Sequence, residues 1–445
     1  MLSLQKKGCI SLIKRIEQIV DQLEPQLVEQ RRDFHKYAEA GWTEFRTASL
    51  IARRLHDLGF EVKLGREVVA EADRMGLPDE DALERHYQRA VAQGGDAEFL
   101  PALRGGFTGV VGILHCGEGP VIGMRFDIDA VDMLESQAPD HRPVQEGFVS
   151  VNPEAMHSCG HDGHATIGLG VAATLAELKD ELRGTIKLVF QPAEEGVRGA
   201  KAIVGSGILD DVQYMLASHL GSGTPTGTVA GGRGSFLATS KFDAFITGAP
   251  AHAGGKPEGG HNALLAAATA VQNLYAIPRH SQGATRINVG RLTAGSGRNV
   301  IPPSAHLAIE TRGFTSELEE HMYNYAVRIL ENAAAMHGCT VKLKAMGGAK
   351  SGGSDPELAE RTRKVAEQIS DFTNVNPGLA GGGGSEDYTY MMERVQKNGG
   401  LATFISVGAD INGAGHHTAE FDFDERALRG AVKLFVATAF DLMQA

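Results

Sequence analysis

The stretch His157-Ser-Cys-Gly-His-Asp-Gly-His164 decides the fold of this chain, because the surrounding elements must bring further side chains to it. Its eight residues include three histidines, one cysteine and one aspartate, separated by two glycines that permit sharp turns. Imidazole and thiolate are the ligands that borderline-soft divalent metals prefer. A solvated polar loop can also carry histidines, but a Cys/His cluster is far more specific than a single histidine. The stretch therefore predicts a metal site.

Length and composition indicate an ordinary globular protein of more than one domain. A chain of 445 residues is too long for a single core. Its formal net charge of −12 argues against nucleic acid and anionic membranes as partners. Four widely spaced cysteines fit a reducing compartment rather than a disulfide framework. No apolar run approaches the ~18 residues of a membrane span. We therefore expect a soluble protein of the cytoplasm.

Helical and strand periodicities alternate on both sides of the metal loop and predict an α/β domain. The strand that ends at Phe126 leads directly into Asp127 and Asp129. Carboxylates at the end of a buried strand are well placed to reach a site, and strand alternation would put these two on one face. The alternative is a solvated strand end.

The order of predicted strands and helices changes near residue 236, and this predicts a second domain. From 236 to 345 the pattern is strand, helix, strand, strand, helix, strand, which is a compact α+β arrangement. We expect this domain to be inserted into the first, which then covers residues 1–235 and 346–445. A polar segment at 65–105 is a separate excursion that either shapes a site mouth or subunit contact, or is a passive surface insertion.

Residues that can bind metal recur after the predicted strands and in the Gly-rich loops of the first domain. The adjacent Glu194 and Glu195 cannot point the same way from an extended segment. One could bind metal while the other acts as a general base on water. A Glu-Glu pair is usually a solvated turn, but this one follows an apolar strand and Pro192. The candidates are Cys159, His161, Glu194, Glu195, His219, His416 and His417.

Cys159 has two further interpretations. It could be a small buried apolar side chain. It could also be a thiol nucleophile with His161 or His164 as its base. Its glycine-flanked position among further His and Glu residues favours metal ligation.

Motifs spread along nearly the whole chain form a specific combination. They are Arg31-Arg-Asp-Phe-His35 with Glu44-Phe-Arg-Thr47, Arg125-Phe-Asp-Ile-Asp129, Cys159-Gly-His-Asp-Gly-His164, Gln191-Pro-Ala-Glu-Glu195, Ala251-His-Ala253 with Asn262-Ala-Leu264, Gly297-Arg-Asn-Val-Ile-Pro302, Ser385-Glu-Asp387 and His417-Thr-Ala-Glu-Phe421. Together they resemble the di-metal amidohydrolases and exopeptidases that include carboxypeptidase G, aminoacylase and the plant auxin-conjugate hydrolases. The resemblance implies a mixed sheet flanked by helices, with an inserted ferredoxin-like dimerisation or lid domain. Segment 65–105 resembles the subgroup that acts on aminobenzoyl-glutamate.

The resemblance also implies a role for each candidate residue. Two divalent ions, Mn²⁺ or Zn²⁺, would be bound by Cys159, His161, Glu195, His219 and His417, with His417 preferred to His416 because of its spacing to Phe421. Glu194 would be the general base, and His252 would stabilise the oxyanion across a dimer. Asp127 and Asp129 would orient the ligands. Asn299 and Arg312 would contact the substrate, since a guanidinium can bind a carboxylate bidentately.

The activity implied is hydrolysis of p-aminobenzoyl-glutamate to p-aminobenzoate and glutamate, which uses a folate catabolite. A broader N-acyl-amino-acid amidohydrolase or dipeptidase is the alternative on the same scaffold. The resemblance further implies a homodimer, or a heterodimer with a related, paralogous chain. The third interpretation is a weakly active chain that requires such a partner.

Overall fold

Two compact units make up the chain in the computed structural model, which describes residues 2–221, 223–378, 384–413 and 415–444. The first unit comprises residues 1–235, 353–382 and 390–445, and the second comprises residues 236–352 and 383–389. Within the described residues, no helix combines the length and the apolar character needed to cross a bilayer.

Helices and strands alternate along most of the chain. The helices are α1 (Leu2–Lys36), α2 (Phe45–Asp57), α3 (Glu80–Ala92), α4 (Leu100–Leu103), α5 (Arg142–Gln145), α6 (His161–Glu177), α7 (Ala200–Gly205), α8 (Ala263–Tyr275), α9 (Ser316–Met336), α10 (Pro356–Ala366), α11 (Thr389–Lys397) and α12 (Ala427–Met443). The strands are β1 (Glu61–Leu64), β2 (Val110–His115), β3 (Val121–Asp127), β4 (Thr185–Gln191), β5 (Tyr214–Leu220), β6 (Thr228–Ala230), β7 (Ala238–Thr247), β8 (Thr285–Ala294), β9 (Ser304–Gly313), β10 (Thr340–Ala349), β11 (Asn374–Asn376), β12 (Leu401–Val407), β13 (Ile411–Asn412) and β14 (Asp422–Phe423).

A mixed sheet of order β1-β2-β4-β3-β5-β12-β6-β11 is the framework of the first unit. β3 runs parallel to β4 and β5, and β5 runs parallel to β12. β1, β2 and β4 are joined by antiparallel pairs, and β6 is antiparallel to β12. The carboxyl ends of the parallel strands therefore lie at one edge, where open α/β sheets place their ligand sites.

Helix α6 follows the metal loop and is buried on all sides over most of its length. Its glycines permit this close packing. A Cβ atom at Gly168 would lie 2.6 Å from Phe190, and one at Gly170 would lie 2.8 Å from Val432. Such contacts hold α6 between the sheet and the neighbouring helices α1 and α12. The start of α6 at His161 is thereby held at the carboxyl edge of the sheet.

Helix α1 is unusual because it contains a proline. A single helix runs from Leu2 to Lys36 with Pro25 inside it. Pro25 is exposed, so the carbonyl that loses its amide partner can bind water instead.

The second unit is a four-stranded antiparallel sheet of order β10-β7-β9-β8. With α8 and α9 this is the ferredoxin-like βαββαβ arrangement expected from the sequence. The unit extends beyond the expected end at residue 345, because β10 pairs with β7 as far as Ala349 opposite Thr239. Residues 383–389 also group with this unit rather than with the first.

Candidate metal centre

Side chains that follow β3, β4 and β5 meet the metal loop at the carboxyl edge of the first unit's sheet. Three of the groups that they form share members, and in each of these one ligand atom per residue lies within 4.8 Å of the others. The groups are Cys159 with His161 and His219, Cys159 with Glu195 and His417, and His161 with Glu194 and Glu195. Because the groups share members, the six side chains converge on one locus.

His161 is presented by the first residue of α6. The preceding Gly160 has a φ of +91°, a left-handed conformation that suits glycine. The Nδ1–H of His161 donates to the carbonyl of Asp129 at 2.9 Å. Its Nε2 is buried, makes no hydrogen bond within the described part of the chain, and lies 3.9 Å from Glu194 Oε2.

The charge state of His161 depends on its carboxylate neighbours. Burial lowers the pKa of His161, but Asp127 and Asp129 raise it more, and the result lies well above the usual value. A cation that binds at Nε2 must therefore displace a proton, so metal affinity should fall as the pH falls.

His219 and Cys159 form the next pair. The Nδ1–H of His219 donates to Leu220 O at 2.8 Å, and its Nε2 lies 3.4 Å from Cys159 Sγ. Burial and the nearby His164 hold the pKa of His219 well below its usual range, so the ring is neutral. Burial raises the pKa of Cys159 to about 12. A protonated thiol is a poor nucleophile, whereas a coordinated cation would deprotonate it.

Both ring nitrogens of His164, the alternative base for Cys159, make hydrogen bonds to other residues. Its Nε2 accepts the backbone N–H of Leu220 at 3.0 Å, so Nδ1 carries the proton and donates to Asp127 Oδ1. The other oxygen of Asp127 lies 2.6 Å from Arg125 Nη1. Burial disfavours the charge on Asp127, but Arg125 and His161 overcome this and hold its pKa well below the usual value. His164 therefore orients Asp127.

Two adjacent carboxylates emerge from the turn at residues 192–199, here named the Glu-Glu turn. Asp129 holds it through both oxygens: Oδ1 accepts from Glu194 N at 3.0 Å and Oδ2 from Glu195 N at 2.9 Å. Ala193 has a φ of +50°, a conformation that costs about 1–3 kcal/mol for a non-glycine residue. Its N–H donates to Glu44 Oε1 at 2.7 Å. The side chains of Asp129 and Glu44 thus accept three successive amides and hold the strained turn.

The sequence left open whether His416 or His417 belongs to the site. His417 Nε2 lies 3.1 Å from Glu195 Oε1, and its backbone N–H donates to Ser158 O at 2.9 Å. Burial raises the pKa of Glu195, but the hydrogen bond to His417 and the charge of His161 bring it below the usual value. His416 instead packs against the ring of His219, with centroids 5.4 Å apart, and burial lowers its pKa to about 4. The geometry favours His417.

The donor set fits a borderline-soft divalent cation. It combines a thiol, imidazoles and carboxylates whose ligand atoms already lie within 4.8 Å of one another in groups of three. The buried Nε2 of His161, which lacks a hydrogen bond among the described residues, is also what a ligand position requires. His161 and His219 each donate from Nδ1 to a backbone carbonyl, an arrangement typical of metal-binding histidines.

Three of the predicted site residues belong to the second unit. The Nδ1 atom of His252 accepts the backbone N–H groups of Gly254 at 3.2 Å and Gly255 at 2.9 Å. Asn299 lies beside it, since its carbonyl accepts the N–H of Ala253 at 2.9 Å. Arg312 lies on β9, where its Nη2 donates to Glu310 Oε1 at 3.0 Å.

A buried ion network behind the metal loop was not recognised in the sequence. Arg31, which is completely buried, has its Nε 2.8 Å from Asp162 Oδ2 and its Nη2 2.9 Å from Asp422 Oδ1. His35 Nδ1 lies 2.8 Å from the same oxygen of Asp162. Because Asp162 follows His161 directly, this network holds the loop from its inner side. The motif that contains Arg31 and His35 was the sequence signal that could have revealed this network. The motif that begins at Glu44 could likewise have drawn attention to Glu44.

Comparison with known proteins places the chain in a well-populated group of hydrolases. Residues 123–441 match the family model described as "Peptidase family M20/M25/M40". One of the chains that make up the p-aminobenzoyl-glutamate hydrolase of Escherichia coli (strain K12) is 49% identical over 430 residues, covering 96% of this chain and 98% of that protein. The indole-3-acetyl-aspartic acid hydrolase of Enterobacter agglomerans is 48% identical over 427 residues, with the same coverage of 96% and 98%.

A solved structure supports the same grouping. The crystal structure of an aminobenzoyl-glutamate utilization protein from Klebsiella pneumoniae superposes with a TM-score of 0.84 at 42% sequence identity, covering 96% of this chain and 98% of that one. The α/β fold class expected from the sequence is thereby confirmed.

Proposed function

The chain belongs to peptidase family M20/M25/M40, and from this membership we propose that it hydrolyses the amide bond of p-aminobenzoyl-glutamate to p-aminobenzoate and glutamate. The observation that carries the proposal is the convergence of the ligand-type side chains beside Glu194. A relative named for this hydrolysis is 49% identical over 96% of the chain.

Two divalent cations are the proposed cofactors, with Cys159, His161, Glu195, His219 and His417 as their ligands. The thiolate suits Zn²⁺, while the carboxylate and imidazoles also suit Mn²⁺. Bound there, the cations would polarise the amide carbonyl and make water more acidic.

Glu194 is the proposed general base. It takes a proton from the attacking water and passes it to the nitrogen of the departing glutamate. Asp129 positions Glu194 by accepting its backbone N–H at 3.0 Å, which leaves the Glu194 carboxylate available for the proton transfer. A general base must lie beside the proposed metal ligands, where the attacking water would be, and Glu194 Oε2 lies 3.9 Å from Nε2 of the proposed ligand His161.

The second unit supplies the remaining proposed roles, as an inserted dimerisation or lid domain. Because Nδ1 of His252 accepts two backbone N–H groups, its proton is on Nε2, from which it can donate to the developing oxyanion. Asn299 and Arg312 are the proposed contacts of the substrate carboxylates. The domain's partner is a second copy of this chain or a paralogous chain. The free cysteines Cys116, Cys159 and Cys339 suit the cytoplasm.

A second candidate activity is hydrolysis of other aromatic acyl conjugates of acidic amino acids. It is favoured by the 48% identity to a relative named for indole-3-acetyl-aspartic acid. Both candidate substrates join an aromatic acyl group to an amino acid with two carboxylates, so the same guanidinium contact would serve either one.

The test uses the full chain with p-aminobenzoyl-glutamate, p-aminobenzoyl-glutamine and indole-3-acetyl-aspartate. We expect hydrolysis of the first to be lost on chelation and restored by Mn²⁺ or Zn²⁺. Glu194→Gln should lower kcat about 10²–10⁴-fold, which is the usual contribution of a general base. Glu118→Gln is the matched control, because Glu118 is exposed in the turn before β3, at the opposite edge of the sheet. Undiminished turnover by Glu194→Gln, or equal turnover of the glutamine analogue, would refute the assignment.

A further inference from the structure

Residues 65–105, here named the insertion, pack against the helix that follows the Glu-Glu turn. Val68 and Val69 are buried, and the N–H of Ala70 donates to Ala202 O in α7 at 2.9 Å. Asp73 Oδ1 lies 3.2 Å from Lys201 Nζ on the same helix. The first part of the insertion is thus attached to α7 by apolar, backbone and ionic contacts.

The insertion also contacts the segment that precedes α2. The indole N–H of Trp42 donates to Met75 O at 2.7 Å, and Trp42 is completely buried. Two residues further on, Glu44 accepts the N–H of Ala193 at 2.7 Å and the hydroxyl of Thr108 at 2.6 Å. The insertion therefore reaches the Glu-Glu turn from this side as well.

Arg198 connects these parts with one guanidinium group. Its Nε donates to the carbonyl of Glu195 at 2.7 Å, and its Nη1 lies 3.5 Å from Gly76 O in the insertion. Its Nη2 lies close to Gly41, and a Cβ atom added at Gly41 would lie 2.4 Å from Nη2, so only glycine leaves room for the guanidinium there. A guanidinium carries its donors on three nitrogens of a planar fork, whereas lysine has one nitrogen that cannot reach all three positions, so lysine could not replace Arg198 fully.

We propose that Arg198 is a positioning residue through which the insertion holds the Glu-Glu turn in its strained conformation. The left-handed φ values of +50° at Ala193 and +60° at Val197 require such support, because the turn would relax if its carbonyls were released. The insertion is then a brace for the metal centre and not a passive surface excursion. This inference rests on the proposed function, since it assigns Glu194 and Glu195 their roles.

The experiment measures metal affinity and catalysis in Arg198→Gln and Arg198→Lys. The metal-stripped full chain is titrated with Zn²⁺ or Mn²⁺ in competition with a chromophoric chelator, and kcat and KM are then determined for p-aminobenzoyl-glutamate. We expect both variants to lose ~10–100-fold in metal affinity and in kcat, as is typical when a group behind a ligand is removed. KM should change little, because the inference assigns Arg198 to the turn and not to the substrate.

Arg104→Gln is the matched control, since Arg104 lies in the insertion but pairs only with Glu84 among the described carboxylates. It should retain the affinity and kcat of the unsubstituted chain. Trp42→Phe keeps an aromatic ring but deletes the indole N–H bond to Met75 O and part of the buried ring system, so it tests the brace from the side of the insertion even if the Arg198 variants fold poorly. It should lower metal affinity in the same direction.

Unchanged metal affinity in Arg198→Gln and Trp42→Phe would overturn the inference. Full recovery in Arg198→Lys would also overturn it, because a single ammonium cannot make the forked contacts. A lower thermal stability with unchanged metal affinity would show a merely structural role. The titration uses no substrate, so it decides the inference even if p-aminobenzoyl-glutamate is not hydrolysed.

Discussion

Replacing Asp129 by asparagine tests how the Glu-Glu turn is held. In the native chain each carboxylate oxygen of Asp129 accepts one backbone amide, from Glu194 at 3.0 Å and from Glu195 at 2.9 Å. Asparagine has one oxygen and one NH₂ group, so one of these amides would face another donor. The backbone carbonyl of Asp129, which accepts from His161 at 2.9 Å, is retained in the variant. The substitution therefore acts mainly on the turn, although it also removes the charge of the Asp129 carboxylate, whose Oδ1 lies 3.3 Å from His161 Nδ1.

The expected cost follows from the contacts that are lost. A hydrogen bond to a charged group contributes about 1.5–3 kcal/mol, and an unsatisfied buried amide costs about 1–3 kcal/mol. If the turn keeps its shape, the free energy of unfolding should fall by a few kcal/mol in total. If the turn relaxes instead, Glu194 and Glu195 move, and metal affinity should fall ~10–100-fold.

Two measurements distinguish these results: thermal unfolding of the metal-stripped chain, and metal titration by chelator competition. Asp180→Asn is the control, because Asp180 is exposed before β4, at the opposite edge of the sheet, and accepts neither of the two turn amides. We expect the control to have the smaller effect in both measurements. An Asp129→Asn variant with the stability and the metal affinity of the unsubstituted chain would refute this account of the turn.

Three further predictions concern other candidate residues. Burial and the neighbouring Asp129 raise the pKa of Glu44 to about 8, so the folded chain holds a proton that the unfolded chain releases above about pH 4.3. The free energy of unfolding should therefore decline as the pH rises from about 4.3 to about 8. Glu44→Gln imitates the protonated acid, so chemical denaturation measured at several pH values in this range should show a smaller decline for this variant. Cys159→Ser should weaken metal binding in a chelator competition, whereas a nucleophile role would abolish hydrolysis and leave metal affinity unchanged. Arg312→Lys should raise KM for p-aminobenzoyl-glutamate about tenfold or more, because lysine cannot make the proposed bidentate contact with a substrate carboxylate; an unchanged KM would exclude Arg312 as a substrate contact.

Most of the fold could be predicted because its signals are local. The periodicity of α6, the apolar strands β3, β4 and β12, and the βαββαβ order of the second unit are all readable over short windows. The continuity of helix α1 through Pro25 is not a local signal, because only the folded chain shows that Pro25 is exposed. The end of the second unit was placed too early because strand pairing, which extends to Ala349, is not a local property.

The candidate ligands and the proposed general base could be named from the sequence because thiol, imidazole and carboxylate groups cluster beside glycines and at strand ends. Tertiary structure alone decides which atom of each group is available. His164 is committed to Asp127 and Leu220, His416 packs against His219, and Glu44 binds the amide of a residue 149 positions away. Arg198 likewise reaches Gly76 across 122 positions. Hydrogen bonds between such distant residues depend on how the sheet and its loops come together, and no local pattern of residue types encodes them.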